Sequence, residues 1–557
     1  MDSILNFLEA VVSLIFVFVA LGFCIFSHEL GHFLAAKWRG LHIDAFSLGF
    51  KPFWRKKING VEYRLGWLPF GGYVELPQVD ASDAVPKAAD GTELPRAKPL
   101  DRIITAVAGP LFNILSGLLL GCIIWAVGMP QDSPRMHELS VLTVEEKSPE
   151  YAAGLRPGDK IVTLNGKSFF LTWRNFAKEL MLATGEVELG VLRDGKPLTI
   201  RYRVVDNPDA PGSLGNEKIG WPFFTVMIPL ELYPRSGSIA EQAGVRDGDL
   251  LVAVDGKPMQ NYLEFQEALN RSQGKDLKIA LQRDGKPVEV TMAATPMPQY
   301  ARYLIGIQME QKNESSNILV SQVSPGSPAE AAGIRAGDTL LEAGETPLTA
   351  MAKFQEYLAE RKSEPFRLTY LRDGVKSSVE IAAREEIPYS IGVDLSALDH
   401  PTPFQQFYDT IELSYKSLRG MLVGLANKIG LTRETSTLKP SHMSGPLGIG
   451  MVLFNSVHHS SLWTGIYFMV MISFALAIFN LLPLPVLDGG HILFGLIELV
   501  FRRPVPVVVL KSLSTVFVTL LIGMMLYVTF YDGKRLLYQL NLLKPAAENT
   551  HVDTPKK

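Results

Sequence analysis

The chain has 557 residues, of which 47% are hydrophobic and 20% charged, and its mean hydropathy is slightly positive at +0.14. This length predicts several domains, and a net charge of −3 argues against nucleic acid as the main partner. The two cysteines, Cys24 and Cys122, both lie in apolar runs, which excludes a disulfide-rich scaffold.

The first apolar run, from Leu8 to Phe26, carries one charge, Glu9, and is long enough to cross a bilayer. It leads directly into the motif His28-Glu29-Leu30-Gly31-His32. On a helix, residues four apart share a face, so both imidazoles can bind one Zn²⁺ while the glutamate takes a proton from water. Ionisable side chains inside a span are costly, which favours this interpretation over a pair of buried core histidines.

Hydropathy predicts four membrane spans, near residues 8–36, 103–127, 462–482 and 507–530. Basic residues cluster between spans one and two and between spans three and four, which places both segments in the cytoplasm. The large middle region then lies outside, and the histidines lie near the cytoplasmic side. We expect the first span to be retained rather than cleaved as a signal peptide. It lacks a basic stretch before the apolar run and an Ala-x-Ala site before Ser27.

The middle region contains a threefold internal repeat. Related segments that end in Gly-Asp start at Ser148, Ser238 and Ser327, and an Arg-Asp-Gly turn follows at Arg193, Arg283 and Arg372. Each turn lies between alternating apolar runs, which is typical of a β-hairpin. A period near 90 residues is too long for a solenoid repeat, so it predicts three tandem small domains.

The Ala-Gly-h-x-x-Gly-Asp pattern in each repeat, where h is an apolar residue, resembles bacterial PDZ domains. That resemblance implies a groove in which an extended peptide or a chain terminus adds as a strand. The candidate groove strands contain Ile219 and Gly220 for the second copy, and Ile305 and Gly306 for the third. The alternative is that the three domains are spacers that bind no peptide.

A zinc site with two histidines needs a third protein ligand if one position is to stay open for water. The segment at the end of the third span, Asn480 to His491, contains Asp488 beside two prolines and two glycines. Irregular backbone at membrane depth is expected only where it lines protein or a wet cavity. Asp488 is therefore the predicted third ligand, and His491 is a competing candidate that we rank below it.

The HExxH motif in the first span, Asn-x-x-Pro-x-Pro-x-Leu-Asp-Gly in the third and PDZ repeats between them resemble the site-2 intramembrane metalloproteases. The resemblance implies zinc as cofactor, with Glu29 as the general base. It implies a substrate-binding role for Asn480, and we expect a similar role for Asn113, in the Gly-x-x-x-Asn element of the second span. The familiar enterobacterial form has two PDZ domains, whereas this chain has three. The zinc ligands implied by the resemblance are His28, His32 and Asp488.

Residues 63–76 have the pattern of an apolar β-hairpin that resembles the re-entrant β-loop of the same family. Its residues Gly71, Gly72 and Tyr73 are candidates for pairing with an unwound substrate as an added strand. The alternative for this hairpin is an aromatic anchor at the membrane interface. Residues 402–428 have apolar positions near helical spacing, which predicts an amphipathic helix on the outer membrane surface.

The predicted fold class is a polytopic α-helical membrane protein with four transmembrane helices. A tandem of α+β, mostly β, PDZ domains is inserted between the second and third helices. The predicted segments are 1–36 (first span), 37–100 (cytoplasmic and re-entrant β-loop region), 101–130 (second span), 135–208, 218–296 and 304–385 (PDZ domains), 386–460 (amphipathic-helix region), 461–491 (third span), 505–532 (fourth span) and 533–557 (tail).

These features predict a zinc-dependent intramembrane endopeptidase of the bacterial inner membrane with periplasmic PDZ domains. The resemblance implies single-pass membrane substrates, namely a trimmed anti-sigma factor and remnant signal peptides, in an envelope stress response. Membrane lipid is a further predicted partner, and peptide termini are candidate PDZ ligands. One alternative is a catalytically silent PDZ scaffold, against which the intact metal motifs argue. The other is a zinc transporter, for which spans two and four offer few polar residues.

Overall fold

The computed structural model describes residues 2–79, 85–131, 133–207, 219–259, 261–310, 318–372, 374–395 and 397–539. It divides into two compact units. One, in its described part, comprises residues 2–79, 85–130, 181–186 and 398–539 and contains the long helices. The other, in its described part, comprises Gln131–Leu180 and Val187–Ala397 and contains the repeats. Of the predicted tail, residues 540–557 lie outside the described residues.

Within the described residues, four helices are long and apolar enough to cross a membrane, as predicted. Their candidate spans are Phe7–Trp38, Pro99–Val127, Leu462–Asn480 and Val507–Tyr538. Many of their large apolar side chains are exposed, which is expected where lipid rather than protein covers a helix. The last helix continues to Gln539, past the predicted end of the fourth span at residue 532.

The first unit begins with α1 (Asp2–Trp38), the strands β1 (Ala45–Ile58) and β2 (Val61–Glu75), α2 (Pro99–Val127) and β3 (Met129–Pro130). α1 and α2 pack closely because small residues line their contact. A Cβ on Gly31 would lie 2.2 Å from the carbonyl oxygen of Ala108. The HExxH motif lies inside α1, which continues for six residues beyond His32.

The β1–β2 hairpin is bent, so that the first residues of β1 pair with two different parts of β2. Ser47 pairs with Tyr73 on one side and with Arg64 on the other. The segment from Gly72 to Glu75 therefore has one strand partner among the described residues and forms an edge of this small sheet. A free edge exposes backbone groups that can pair with another extended chain.

The first repeat domain has a sheet with the strand order β8-β7-β5-β4-β9, and β6 pairs with β5. The strand at one edge, β9, follows the rest of the domain in sequence and pairs with its first strand, β4. The elements are β4 (Leu139–Val144), α3 (Pro149–Ala152), β5 (Lys160–Leu164), β6 (Lys167–Ser168), α4 (Trp173–Met181), β7 (Glu186–Arg193), β8 (Lys196–Arg203) and β9 (Phe224–Val226).

The second repeat domain has the same arrangement, β14-β13-β11-β10-β25, with β12 paired to β11. Its edge strand β25 (Val393–Asp394) comes from much further along the chain and pairs with β10. The other elements are β10 (Glu231–Pro234), α5 (Ile239–Gln242), β11 (Asp249–Val254), β12 (Lys257–Pro258), α6 (Tyr262–Ser272), β13 (Asp276–Arg283) and β14 (Lys286–Ala293).

The third repeat domain is inserted into the second, between β14 and β25, and its sheet has the order β17-β18-β19-β21-β22 with β20 on β19. The two connections pair with each other, β15 with β24 and β16 with β23. The elements are β15 (Thr295–Pro296), a 3₁₀ turn (Pro298–Tyr300), β16 (Arg302–Leu304), β17 (Ile307–Glu310), β18 (Ile318–Val323), α7 (Pro328–Ala331), β19 (Thr339–Ala343), β20 (Thr346–Pro347), α8 (Met351–Arg361), β21 (Phe366–Arg372), β22 (Val375–Ile381), β23 (Arg384–Glu386) and β24 (Tyr389–Ser390).

The two sequence landmarks of the repeat meet in space as one ion pair. In the second domain the guanidinium of Arg283 donates to both carboxylate oxygens of Asp249, each at 2.7 Å, and to the carbonyl of Gly244. The same contacts join Arg193 to Asp159 and Arg372 to Asp338. Each aspartate is only 1% exposed, so these landmarks hold each domain together.

The prediction that Ile219 and Gly220 lead into the groove strand of the second domain was wrong. The strand after Ile219 and Gly220 is β9, which pairs with β4 of the first domain. The second domain is instead completed by the strand after Ile391-Gly392, which the sequence analysis missed. The strand after Ile305 and Gly306 pairs with β18 of the third domain, the domain predicted for it. The predicted domain limits at residues 208 and 296 consequently leave out one strand each.

The remaining part of the first unit is helical. A short ladder pairs β26 (Leu398–Asp399) with β3, and a 3₁₀ turn spans Pro440–His442. The helices are α9 (Pro403–Lys428), α10 (Pro446–His459), α11 (Leu462–Asn480), α12 (Asp488–Phe501) and α13 (Val507–Gln539). α9 is the predicted amphipathic helix, and one face exposes large apolar residues, among them Phe404, Tyr408, Tyr415 and Leu422.

Candidate metal centre

Two histidines of α1 meet the first residue of α12. The Nε2 atoms of His28 and His32 lie 3.2 Å apart. Nε2 of His28 lies 3.2 Å from Oδ2 of Asp488, and Nε2 of His32 lies 3.4 Å from Oδ1 of the same carboxylate. One ligand atom from each residue falls within 4.8 Å of the others, and no further such group occurs in the described part of the chain.

The second nitrogen of each imidazole is held by α2. Nδ1 of His32 lies 2.7 Å from the carbonyl oxygen of Thr105, so it carries a proton and donates it. Nδ1 of His28 lies 3.2 Å from the side-chain amide of Asn113. A partner on Nδ1 fixes the tautomer and leaves Nε2 unprotonated for a metal.

The amide of Asn113 is placed with its nitrogen towards His28, while its own Oδ1 is buried without a partner. The oxygen and nitrogen of such an amide are assigned from its hydrogen bonds. Rotating the Asn113 amide by 180° lets its Oδ1 accept a hydrogen bond from a protonated Nδ1 of His28. This arrangement matches that at His32, where Nδ1 donates to the Thr105 carbonyl. Asn113 was predicted to contact substrate; the structure places its amide against Nδ1 of His28, one of the predicted metal ligands. The Thr105 carbonyl was missed because a backbone group leaves no signal in the sequence.

Glycines let three helices approach the site closely. A Cβ on Gly109 of α2 would lie 2.3 Å from Nε2 of His32. A Cβ on Gly489 or Gly490 would lie 2.2 Å from the carbonyl oxygens of Leu482 or Leu484, respectively. The turn after α11 can therefore fold tightly onto the start of α12, which delivers Asp488 to the histidines.

The donor set fits a divalent metal ion such as zinc. Oδ2 of Asp488 is buried and has no well-directed hydrogen-bond partner in the described structure, although His28 is near. The three side chains are 12–16% exposed. A cluster of two imidazoles and a carboxylate with an orphaned oxygen is costly without a shared cation. Two histidines and one carboxylate are also a ligand set of catalytic zinc sites, in which the fourth position stays open.

Glu29 lies beside this cluster, 8% exposed, with its side chain against the edge of the β1–β2 hairpin. A Cβ on Gly72 would lie 2.7 Å from Cγ of Glu29, so only a glycine fits there without displacement. Gly71 has a φ of +148° and packs against the ring of Phe50, which stacks on Tyr73. Asn480 is the last residue of α11 and is half-buried.

The sequence profile of peptidase family M50 matches residues 16–524, which covers both metal motifs and all three repeats. This chain belongs to peptidase family M50. The predicted membership of the site-2 protease family is thereby confirmed, and with it the prediction of a membrane-embedded peptidase.

Relatives match nearly the whole chain. "Putative zinc metalloprotease" of Chlamydia pneumoniae is 26% identical over 92% of this chain and 97% of that protein. "Regulator of sigma-E protease RseP" of Escherichia coli is 25% identical over 92% of this chain and 97% of that protein. A solved HtrA3 PDZ domain bound to a phage-derived ligand is 25% identical over 16% of this chain and 91% of that chain, with a TM-score of 0.14. The strand order of each repeat domain, and not this likeness, defines its fold.

Proposed function

We propose that this M50 peptidase uses zinc to cleave the transmembrane segments of single-pass proteins. The observation that carries the proposal is the meeting of His28 and His32, which lie within the apolar helix α1, with Asp488, the first residue of α12. The names of the relatives, which include a zinc metalloprotease, support zinc as the metal. When bound, zinc supplies Lewis-acid chemistry at the open position of this ligand set.

Glu29 is the proposed general base. It follows His28 in α1 and is nearly buried beside the ligand cluster. Its carboxylate accepts a proton from the attacking water and returns it to the nitrogen of the departing amine, so that one side chain serves both steps. Asn113 and the Thr105 carbonyl hold the two imidazoles during this cycle, and Asn480 is proposed to bind substrate.

The substrate is proposed to bind as an added strand. A transmembrane helix has its carbonyl groups engaged in hydrogen bonds and must unwind before a peptide bond is accessible. The free edge from Gly72 to Glu75 lies against Glu29 and can pair with the unwound segment. Gly71, Gly72 and Tyr73 would then position the cleaved bond beside the base.

We further propose a location in the bacterial inner membrane, with the repeats inserted between the second and third spans on the periplasmic side. The basic residues between spans one and two support a cytoplasmic position for the hairpin and for the metal site near it. The Escherichia coli relative named a regulator of sigma-E protease supports a trimmed anti-sigma factor as substrate, in an envelope stress response. Remnant signal peptides are a further substrate class.

The test is cleavage of a trimmed single-pass anti-sigma-type substrate in detergent by the wild-type protein and by Glu29→Gln, with zinc measured in both. Cleavage by the wild type alone, with zinc in both, is the expected result. A protein that lacks zinc and does not cleave would contradict the proposal and favour a PDZ scaffold without catalytic activity. Zinc without cleavage of this substrate would contradict the substrate assignment.

A further inference from the structure

Two ion pairs at adjacent residues of α2 connect this helix to the two helices that carry the proposed metal ligands. Nε and Nη2 of Arg39, the residue after α1, donate to Oδ1 of Asp101 at 2.8 and 2.6 Å. The guanidinium of Arg102 donates to the carboxylate of Glu498 in α12. The first turn of α2 is therefore joined to α1 at one residue and to α12 at the next.

Both pairs are partly withdrawn from water. The Asp101 side chain is 12% exposed and those of Arg102 and Glu498 are 22% exposed each. Asp101 and Arg102 also lie in the candidate span Pro99–Val127. Charged residues in a membrane span are costly unless they are paired, and such pairs mark functional positions. Loss of one partner would leave a poorly solvated charge, so each pair should hold its two helices together firmly.

The pair between Arg39 and Asp101 leads to His32. One helical turn after Asp101, the Thr105 hydroxyl donates to the Asp101 carbonyl at 2.8 Å. The carbonyl of Thr105 in turn accepts the Nδ1 proton of His32. This pair thus holds the end of α1 against the part of α2 that orients His32.

The other pair leads to Asp488. Glu498 lies ten residues after Asp488 in α12, or roughly 15 Å along the helix axis. Between them α12 approaches α2 closely, since a Cβ on Gly495 would lie 2.6 Å from Cγ1 of Ile103. Residues 481–487, which precede Asp488, form an irregular segment that gives α12 no side-chain cap. The position of Asp488 therefore depends on how α12 packs on α2.

We propose that Asp101 and Arg102 are positioning residues for the metal site. Their two ion pairs, which we call the brace, fix the separation of α1 from α12 and so the distances among His28, His32 and Asp488. Without the brace α12 can shift on α2, and the three side chains no longer converge on one point. The inference rests on the proposed function only in taking these three side chains to hold a functional zinc ion.

The first experiment measures zinc affinity of the full chain in detergent, by competition with a chelator of known affinity, together with kcat and KM. Arg102→Glu and Glu498→Arg should each weaken zinc binding by about tenfold and lower kcat at unchanged KM, because the ligands shift while the proposed substrate edge does not. The double variant that carries both changes restores the pair in reverse and should recover affinity and kcat. Arg503→Gln removes an exposed charge just after α12, and this matched control should behave like the wild type.

A steric variant disturbs the same packing without removing a charge. Gly495→Ala places a methyl group against Ile103 and should shift α12 away from α2, with a similar loss of zinc affinity. Addition of Ile103→Ala makes room for that methyl group and should restore the affinity. Asp101→Asn weakens the other ion pair of the brace and should also weaken zinc binding.

A distance measurement tests the brace without metal. Nitroxide labels on Leu34→Cys in α1 and Val500→Cys in α12, both exposed positions, report the separation of these helices by double electron–electron resonance. The protein is treated with chelator and carries Cys122→Ala, and Cys24 is buried. The distance distribution should broaden in Arg102→Glu and narrow again in the double variant.

A distribution that Arg102→Glu leaves unchanged would overturn the proposal, and so would a double variant that restores neither the distribution nor the zinc affinity. A wild-type protein that binds no zinc would instead contradict the proposed function. The distance measurement still decides on the brace in that case, so the two failures are distinguishable.

Discussion

The backbone of Gly72 packs directly against the side chain of Glu29. A Cβ at this position would lie 2.7 Å from Cγ of the glutamate and 2.9 Å from the carbonyl oxygen of Ser47. The hairpin edge and the proposed base are therefore positioned by one contact. A change at Gly72 should act on catalysis through Glu29 while the three proposed metal ligands stay in place.

Gly72→Ala is expected to reduce kcat/KM by about 100-fold, because the added methyl group displaces the base from its position. Zinc content should not change. The matched control is Gly22→Ala in α1, where a Cβ has open space, and it should cleave like the wild type. Loss of zinc from Gly72→Ala would show that the hairpin holds the metal site itself.

Asn113→Ala is expected to weaken zinc binding by about 10- to 100-fold, because the Nδ1 proton of His28 loses its acceptor. Competition with a chelator of known affinity measures the change. Cys122→Ala, an exposed change on the same helix, is the control and should bind zinc normally. Unchanged zinc affinity together with a raised KM would instead support the substrate-binding role first predicted for Asn113.

The second repeat domain should lose stability in acid. Hydrogen bonds from Arg283 hold the pKa of the Asp249 carboxyl below its usual range. The pair therefore stabilises the fold above the unfolded pKa of about 3.9, and this contribution is lost as the pH falls through the lower folded pKa. Hydrogen exchange of residues 276–293 in the full chain should show faster opening below about pH 4.

Arg283→Gln tests the same pair at neutral pH. It should destabilise the second domain by about 2 kcal/mol, because Asp249 stays buried without its main donor, and should flatten the response to acid. Arg271→Gln removes an exposed pair with Glu267 and should change little. An unaltered acid response in Arg283→Gln would assign that response to other groups.

One hypothesis is that the three repeat domains act as a size filter, which keeps bulky ectodomains away from the proposed metal site. A deletion whose limits the structure provides tests this hypothesis. β3 and β26 form a short ladder on either side of Gln131–Ala397. This segment contains the three repeat domains and Met181–Glu186 of the first unit, and a short linker can replace it between the paired strands. If the repeats exclude bulky ectodomains, the shortened protein should cleave an untrimmed substrate that the full chain leaves intact. Retained zinc is the control for folding, and a continued requirement for trimming would contradict the filter.

The sequence predicted the spans and the set of residues that meets at the metal site because both have local signals. His28 and His32 are spaced by one helical turn, and Asp488 is an ionisable residue beside a broken span. The edge strands of the repeat domains were harder to predict, because an Ile-Gly pair does not indicate which sheet the following strand joins. β25 pairs with a strand some 160 residues earlier, and no local pattern encodes that distance. The position of Asn113 behind His28 likewise depends on how α2 crosses α1.

The insertion of the third domain into the second affects the order in which the two domains can complete their folding. A chain is synthesised from its N-terminus, and domains generally fold as they emerge. The second domain has most of its strands by Ala293, yet it must wait for Val393, after the entire third domain, before its sheet is complete. During that interval the edge of β10 stays open to wrong partners, including the similar edge strand β17 of the third domain. Correct assembly therefore requires β17 to pair with β18 of its own sheet before it can pair with β10.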